Sequence, residues 1–184
     1  MLRSLWLLML LVTLPLQAAE KLPPLVDVSW LLANNDAPGL VLLDIQPQPY
    51  YQQVHLMGAV SAPFEQWRSN LPQGLHGMLP PTSQLERLLG RLGVTPGDQV
   101  IIVTTGLGAG DMAAAARVFW TLKVLGHGQV AILDGGLNAV ASDEPGARRL
   151  TNVPVSRTAP RYQARPASAL LADAAATHAR ARHR

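Results

Sequence analysis

Residues 99–126, QVIIVTTGLGAGDMAAAARVFWTLKVLG, decide the fold. Gln99 to Val103 is a short run of β-branched residues bounded by turn formers, the pattern of a strand buried on both faces. Thr104 to Gly110 (TTGLGAG) is a glycine-rich loop, and Asp111 after it is an expected N-cap for an alanine-rich helix closed by Gly126. A further apolar run, Val130 to Leu133, ends at Asp134, Gly135 and Gly136. Strand, helix and strand in this order predict a parallel sheet.

The same alternation extends upstream. Leu40 to Ile45 (LVLLDI) reads as a buried strand that Pro47 and Pro49 prevent from continuing. After a polar patch at Tyr50 to His55, Gly58 to Pro63 (GAVSAP) predicts another short strand and its exit. Residues 68 to 82 read as a loop. Ser83 and Glu86 stand at capping-box spacing, with Leu85, Leu88, Leu89 and Leu92 forming one apolar face before Gly93. Nearer the N-terminus Ser29 is the expected cap of a short helix, WLLANN. The pattern predicts an α/β domain with a parallel sheet covered on both faces, and any site belongs at the carboxyl ends of its strands. Past Ala141 the apolar period vanishes. Residues 142 to 168 read as a linker, 169 to 180 as a lone alanine-rich helix, and 142 to 184 as a mobile tail that trypsin should remove back to Arg148 or Arg149.

Composition narrows the classes. The chain has 184 residues, 48% of them apolar and 15% charged, enough for one core. Residues 1 to 146 carry seven basic and eleven acidic residues, whereas 147 to 184 carry eight arginines and one aspartate, so the net charge of +3 comes from the tail. Arg3, the apolar run Leu5 to Leu16 and the small pair Ala18, Ala19 read as a secretory signal peptide over 1–19, cleaved after Ala19 or, alternatively, Ala18. The rival is an uncleaved anchor, for which the run is short. The expected destination is the periplasm or the exterior, with no stable membrane insertion after cleavage. Nucleic acid is not an expected partner, because only Tyr162 offers a stacking surface among the tail arginines. The chain contains no cysteine, which excludes disulfides, thiolate metal sites and every thiolate mechanism of its own.

The glycine loop is the one segment shaped for binding. Unpaired backbone N–H groups and a helix N-terminus attract anions, so Thr105, Gly106, Gly108 and Gly110 are the candidate anion-binding residues. No Gly-Lys-Ser/Thr follows, and a dinucleotide fingerprint would need glycine where Asp111 stands. A permissive turn into a helix is the plain alternative. The histidines are too scattered in sequence to suggest a metal site, and no cofactor is implied.

Taken in order, LVLLDI, YYQQVHLMGAV, LERLLGRLGV, the segment from Gln99 to His127 and VAILDGGL resemble the rhodanese family over residues 26 to 141, specifically the first half of tandem thiosulfate or 3-mercaptopyruvate sulfurtransferases. The resemblance implies a three-layer fold with a five-stranded parallel sheet flanked by helices. It also implies that the loop after strand 99–103 is the active loop, where active members carry the cysteine that holds sulfane sulfur as a persulfide. Thr104 occupies that position, or Thr105 if the loop is registered one residue later. A threonine hydroxyl cannot serve as the carrier. In the tandem enzymes the first half is commonly inert, and residues 161 to 177 (RYQARPASALLADAAAT) resemble the linker and the opening of a missing second domain. A catalytic rhodanese domain or a small sulfur-containing anion is the implied partner. Three readings follow: a non-catalytic rhodanese-like domain, part of an active enzyme whose cysteine lies elsewhere, or a module that binds an anion or a protein. Departures from the family are Gln46 for an arginine, Val54 for a glycine, Met57 for a proline and Val140 for a tryptophan.

Other residues have plainer expected roles. Asp44 should cap backbone N–H groups at a strand end, His55 should be structural rather than an acid or base, and Arg117 should face a carboxylate or a second domain rather than a loop anion. His127 should sit at a negative helix end, and Asp134 should cap the last helix.

Overall fold

The computed structural model describes residues 21–70, 76–159 and 161–171. Its centre is a parallel pair, β2 (Leu40–Asp44) and β5 (Gln99–Val103), in register from Leu40 opposite Gln99 to Asp44 opposite Val103. Both are flanked by further parallel strands: β6 (Val130–Leu133) and β1 (Leu25–Val26) on one side, β4 (Val60–Ser61) on the other. The five-stranded sheet therefore has the order β1-β6-β5-β2-β4. This is the parallel α/β sheet predicted from the alternation, with the five strands that the resemblance implies.

Because successive strand residues point to opposite faces, one short run serves two cores. Val41, Leu43, Val100 and Ile102 pack against α3 (Thr82–Arg91) and α4 (Ala109–Val124) through Leu85, Leu89, Val118 and Leu122. Leu40, Leu42, Ile101 and Val103 pack against α1 (Val28–Asn34) and the helix Gly136–Ser142 through Leu31, Leu137 and Val140. Burial of a branched aliphatic side chain stabilises by about 1.5–3 kcal/mol, so these two layers supply the main driving force.

Helix boundaries depart from the sequence reading in a consistent way. Asp27, not Ser29, caps α1, its carboxylate accepting from the Trp30 N–H at 2.7 Å. Pro81 precedes α3 with no side-chain cap, which leaves Ser83 inside the first turn and frees Glu86 for another partner. Gly108 occupies the N-cap of α4, placing Asp111 at the third helical position. Gly135, in the left-handed region, takes the cap position expected of Asp134. The polar patch after β2 contains a helix, Gln48–Gln53, with Pro49 in its first turn where proline is tolerated.

The segment read as an unattached linker is docked along the domain. A short helix, Glu144–Ala147, capped by Asp143, follows Gly136–Ser142. β7 (Leu150–Thr151) then pairs antiparallel with β3 (His55–Leu56). Val155 bridges Val60, and the Ala159 N–H donates to the Gly90 carbonyl. Arg161 and the Ala164 N–H both engage the Glu86 carboxylate, at 3.1 and 3.0 Å. Tyr162 is only 2% exposed and joins the α3–α4 core, and Arg165 and Ala167 donate to the carbonyls of Leu125 and Val124. Gly126 is required for this path, since a Cβ there would stand 2.1 Å from the Arg165 carbonyl oxygen. The expected tail mobility and the tryptic limit at Arg148 or Arg149 are thus corrected for residues 150–159 and 161–171. The expected leader, 1–19, and most of the helix expected at 169–180 lie outside the described residues; within them, Ser168–Leu170 forms a single 3-10 turn.

Candidate functional site

The carboxyl ends of β2 and β5 lie side by side, and each hands over to a segment bearing site residues. After β2, Asp44 is fully buried and accepts from the Gln46 backbone N–H at 3.0 Å and from the Gln46 side-chain amide at 2.9 Å. This is the strand-end capping role expected of it. Burial pushes the Asp44 carboxyl up to about 6, opposed by the two Gln46 hydrogen bonds and by the nearby charge of His55. Gln46 supplies dipoles but no positive charge, so the carboxylate lacks the cationic partner that an arginine would provide.

After β5, the loop is fastened to the start of the helix Gly136–Ser142. The Thr104 carbonyl accepts from the Leu137 N–H at 2.8 Å and the Thr105 carbonyl from the Asn138 N–H at 2.9 Å. Gly106 makes the closest approach: with φ +78° it packs against Gly135, and an added Cβ would stand 1.9 Å from the Gly135 carbonyl oxygen. Thr104 is 6% exposed. Thr105 directs its hydroxyl to the Asp111 carboxylate, and the same carboxylate oxygen accepts from the Leu107 N–H at 2.9 Å.

The structure therefore brings Thr105, Gly106, Gly108, Gly110 and Asp111 together as one strand–loop–helix turn. The N–H groups of Gly106, Gly108 and Gly110 make no hydrogen bond among the described residues, but a carboxylate at the helix N-terminus already satisfies the dipole that would draw in an anion.

Three adjoining clefts surround the loop. The largest, about 530 Å³, runs between the loop and the helix Gln48–Gln53 and is walled by Tyr50, Val54, Leu107 and Leu150. A second of about 240 Å³ reaches Thr104 and Glu65, and a third of about 270 Å³ reaches Gly106, Met112 and Asp134. The sequence reading missed the walls of the largest. Leu107, 79% exposed at the loop tip, was the legible signal, an apolar side chain in a segment otherwise built for turning. Leu150 had no signal, because it arrives from the segment read as a linker.

The remaining candidates lie apart from the clefts. His55 is fully buried, stacked on the Tyr51 ring at 3.8 Å, with Nδ1 2.6 Å from the Tyr51 carbonyl and Nε2 3.0 Å from that of Val153. Its role is structural, as expected. Arg117 forms no salt bridge among the described residues: it donates to the Gly77 carbonyl at 3.1 Å and lies over the Trp120 ring at 4.8 Å. His127 does follow the end of α4, but it is buried, with Nδ1 3.0 Å from the Tyr162 hydroxyl and Nε2 3.0 Å from the Asp98 carbonyl.

A parallel sheet in this strand order, with a glycine loop capping the helix after its central strand, defines a class that comparison with known proteins makes specific. The rhodanese-like domain model matches residues 27–143, and the chain belongs to that family. Thiosulfate sulfurtransferase of Azotobacter vinelandii is 35% identical over 130 residues, covering 70% of this chain and 46% of that protein. The Pseudomonas aeruginosa thiosulfate sulfurtransferase is 33% identical over 141 residues, 76% of this chain and 49% of that protein. Among solved structures, a 3-mercaptopyruvate sulfotransferase from Escherichia coli shares the fold with a TM-score of 0.60 at 24% identity, over 78% of this chain and 55% of that one. The chain spans about half the length of the curated relatives it matches.

Proposed function

We propose that this chain is an exported rhodanese-family domain that transfers no sulfur by itself and acts beside a rhodanese domain supplying the cysteine. The observation that carries this reading is at the end of β5: the position matching the family's sulfur-carrying cysteine holds Thr104, or Thr105 if the loop is registered one residue later, and none of the 184 residues is a cysteine. Sulfane transfer needs an atom that forms and breaks a sulfur–sulfur bond near neutral pH, and a hydroxyl does neither. The matched region makes up about half of these relatives, which supports a partner domain with a role in thiosulfate or mercaptopyruvate chemistry. Thiosulfate or a similar small sulfur anion would meet the loop only weakly, because Asp111 lies against its free N–H groups. Export rests on Arg3, the apolar run to Leu16 and the Ala18–Ala19 exit.

The test is thiocyanate production from thiosulfate and cyanide by the purified chain, alone and mixed with a cysteine-bearing rhodanese domain. Background turnover by the chain alone and a measurable complex with that domain are expected. Turnover by the pure chain overturns the non-catalytic reading, and no association at micromolar concentration overturns the partner. Intact mass from an exporting host should correspond to a start at Glu20; recovery of all 184 residues in membranes would reject the cleaved leader.

A further inference from the structure

The charged groups on the walls of all three clefts around the loop are carboxylates. Asp111 borders each of them, Glu65 adds to the second and Asp134 to the third, and among the described residues no lysine or arginine lines any of the three. In the largest cleft the hydrogen-bonding groups are biased the same way. Both amide hydrogens of Gln46 are spent inward, on the Asp44 carboxylate and on the Val54 carbonyl at 2.9 Å, so its remaining capacity is as an acceptor through Oε1. The Thr105 hydroxyl and the Leu107 N–H are both taken by Asp111 Oδ2. Asp111 Oδ1 forms no hydrogen bond among the described residues and remains an open, charged acceptor. Around these acceptors the walls are apolar, with Leu107, Leu137 and Leu150 facing the exposed ring of Tyr50.

We infer that the largest cleft is a binding site for a small organic cation, a primary amine carried on an apolar body, with Asp111 as its counter-charge. A concave, mostly apolar site with a few fixed polar groups is the usual form of a small-molecule pocket, and its volume suits a single-ring ligand. The ammonium supplies the N–H donors that Asp111 Oδ1 and Gln46 Oε1 lack, the Tyr50 ring offers a face to the positive charge, and the leucines take the apolar body. An anionic ligand would meet the same carboxylate with no compensating cation. This site is independent of the proposed partner domain and of any sulfur chemistry.

The experiment is an amide chemical-shift titration of the full isotopically labelled chain at low salt with phenethylammonium, in parallel with phenylacetate as its oppositely charged counterpart. Saturable shifts at Thr105, Leu107 and Asn138 are expected for phenethylammonium, with a dissociation constant of about 1–10 mM, and none for phenylacetate. Asp111→Asn should weaken the amine at least roughly fivefold. Because Asp111 also braces the loop, a second variant is needed: Asn138→Lys, at an exposed position on the cleft wall, should abolish amine binding and admit phenylacetate. Phenylacetate binding to the unaltered chain as well as the amine, amine binding unaffected by both substitutions, or no saturable shift with either probe would each overturn the inference.

Discussion

Truncating Tyr162 should cost the domain much of its stability, although the residue lies in a stretch that sequence composition marks as linker. The side chain is 2% exposed and packs among the residues of the α3–α4 core. Its hydroxyl meets His127 Nδ1, while His127 Nε2 meets the Asp98 carbonyl. A carbonyl only accepts, so Nε2 carries the proton and Nδ1 receives that of Tyr162. Burial pushes the phenol up to about 12, which keeps this donor in place at any working pH. Tyr162→Ala removes a buried aromatic, at about 3–5 kcal/mol, and Tyr162→Phe removes only the hydrogen bond, at about 1 kcal/mol. Against a total of about 5–15 kcal/mol the first loss is large, and it should lower the urea midpoint by about 2 M. Fluorescence of Trp67, fully buried in the same core, reports unfolding, and trypsin reports release of the strap at Arg157, Arg161 and Arg165. A Tyr162→Ala variant within about 1 kcal/mol of the parent, or parent protein cut at those arginines as fast as the variant, would refute the reasoning.

Asp44→Asn tests the buried carboxyl. Its folded value, near 6, is raised above the unfolded one, so its contribution to stability is present at low pH and is lost as pH rises through about 6. The variant loses one acceptor for Gln46 at every pH, so the readout is the change with pH: the difference between variant and parent should move in the variant's favour by about 2–3 kcal/mol from pH 4 to pH 8, as read by denaturation at each pH. His127 responds in the opposite sense: burial depresses it, so its contribution is present above about pH 6.5 and lost on acidification, and His127→Gln should flatten that acid limb in the same measurements. Thr104→Cys should yield a thiol that alkylates slowly because Asp111 opposes its ionisation, and adding Asp111→Asn should speed alkylation at pH 7 by roughly three- to tenfold. Equal rates in the single and double variants would show that the carboxylate does not act on residue 104.

The architecture was legible because its signals are local and periodic. Gln99–Val103 and Leu40–Asp44 are apolar at every buried position, glycines punctuate the turns between elements, and Leu85, Leu88 and Leu89 recur at helical spacing. The caps were misplaced by one to three residues, at Ser29, Ser83, Asp111 and Asp134: at the first another polar residue, Asp27, takes the cap, and at the others Pro81, Gly108 and Gly135 occupy it with no side-chain hydrogen bond. A polar residue near a helix start is also open to other partners. Glu86 was expected to cap α3 and instead holds Arg161 and Ala164, partners more than seventy residues away.

What the sequence by itself determined is the order of strands and helices, the place of the loop at the carboxyl edge and the lack of any cysteine in this chain. Only the tertiary structure decided how residues 150–159 and 161–171 run and where Asp111 points. The strap shows no period because it is not an amphipathic element: isolated anchors such as Val155 and Tyr162 enter sites on surfaces built by distant segments, and no pattern along the strap encodes those sites. Asp111 turns its carboxylate back onto Thr105 and Leu107 because the helix begins at Ala109, a boundary fixed where the Gly106 turn packs against Gly135. The charge at the mouth of the cleft follows from that contact between two glycines nearly thirty residues apart, which composition and spacing do not record.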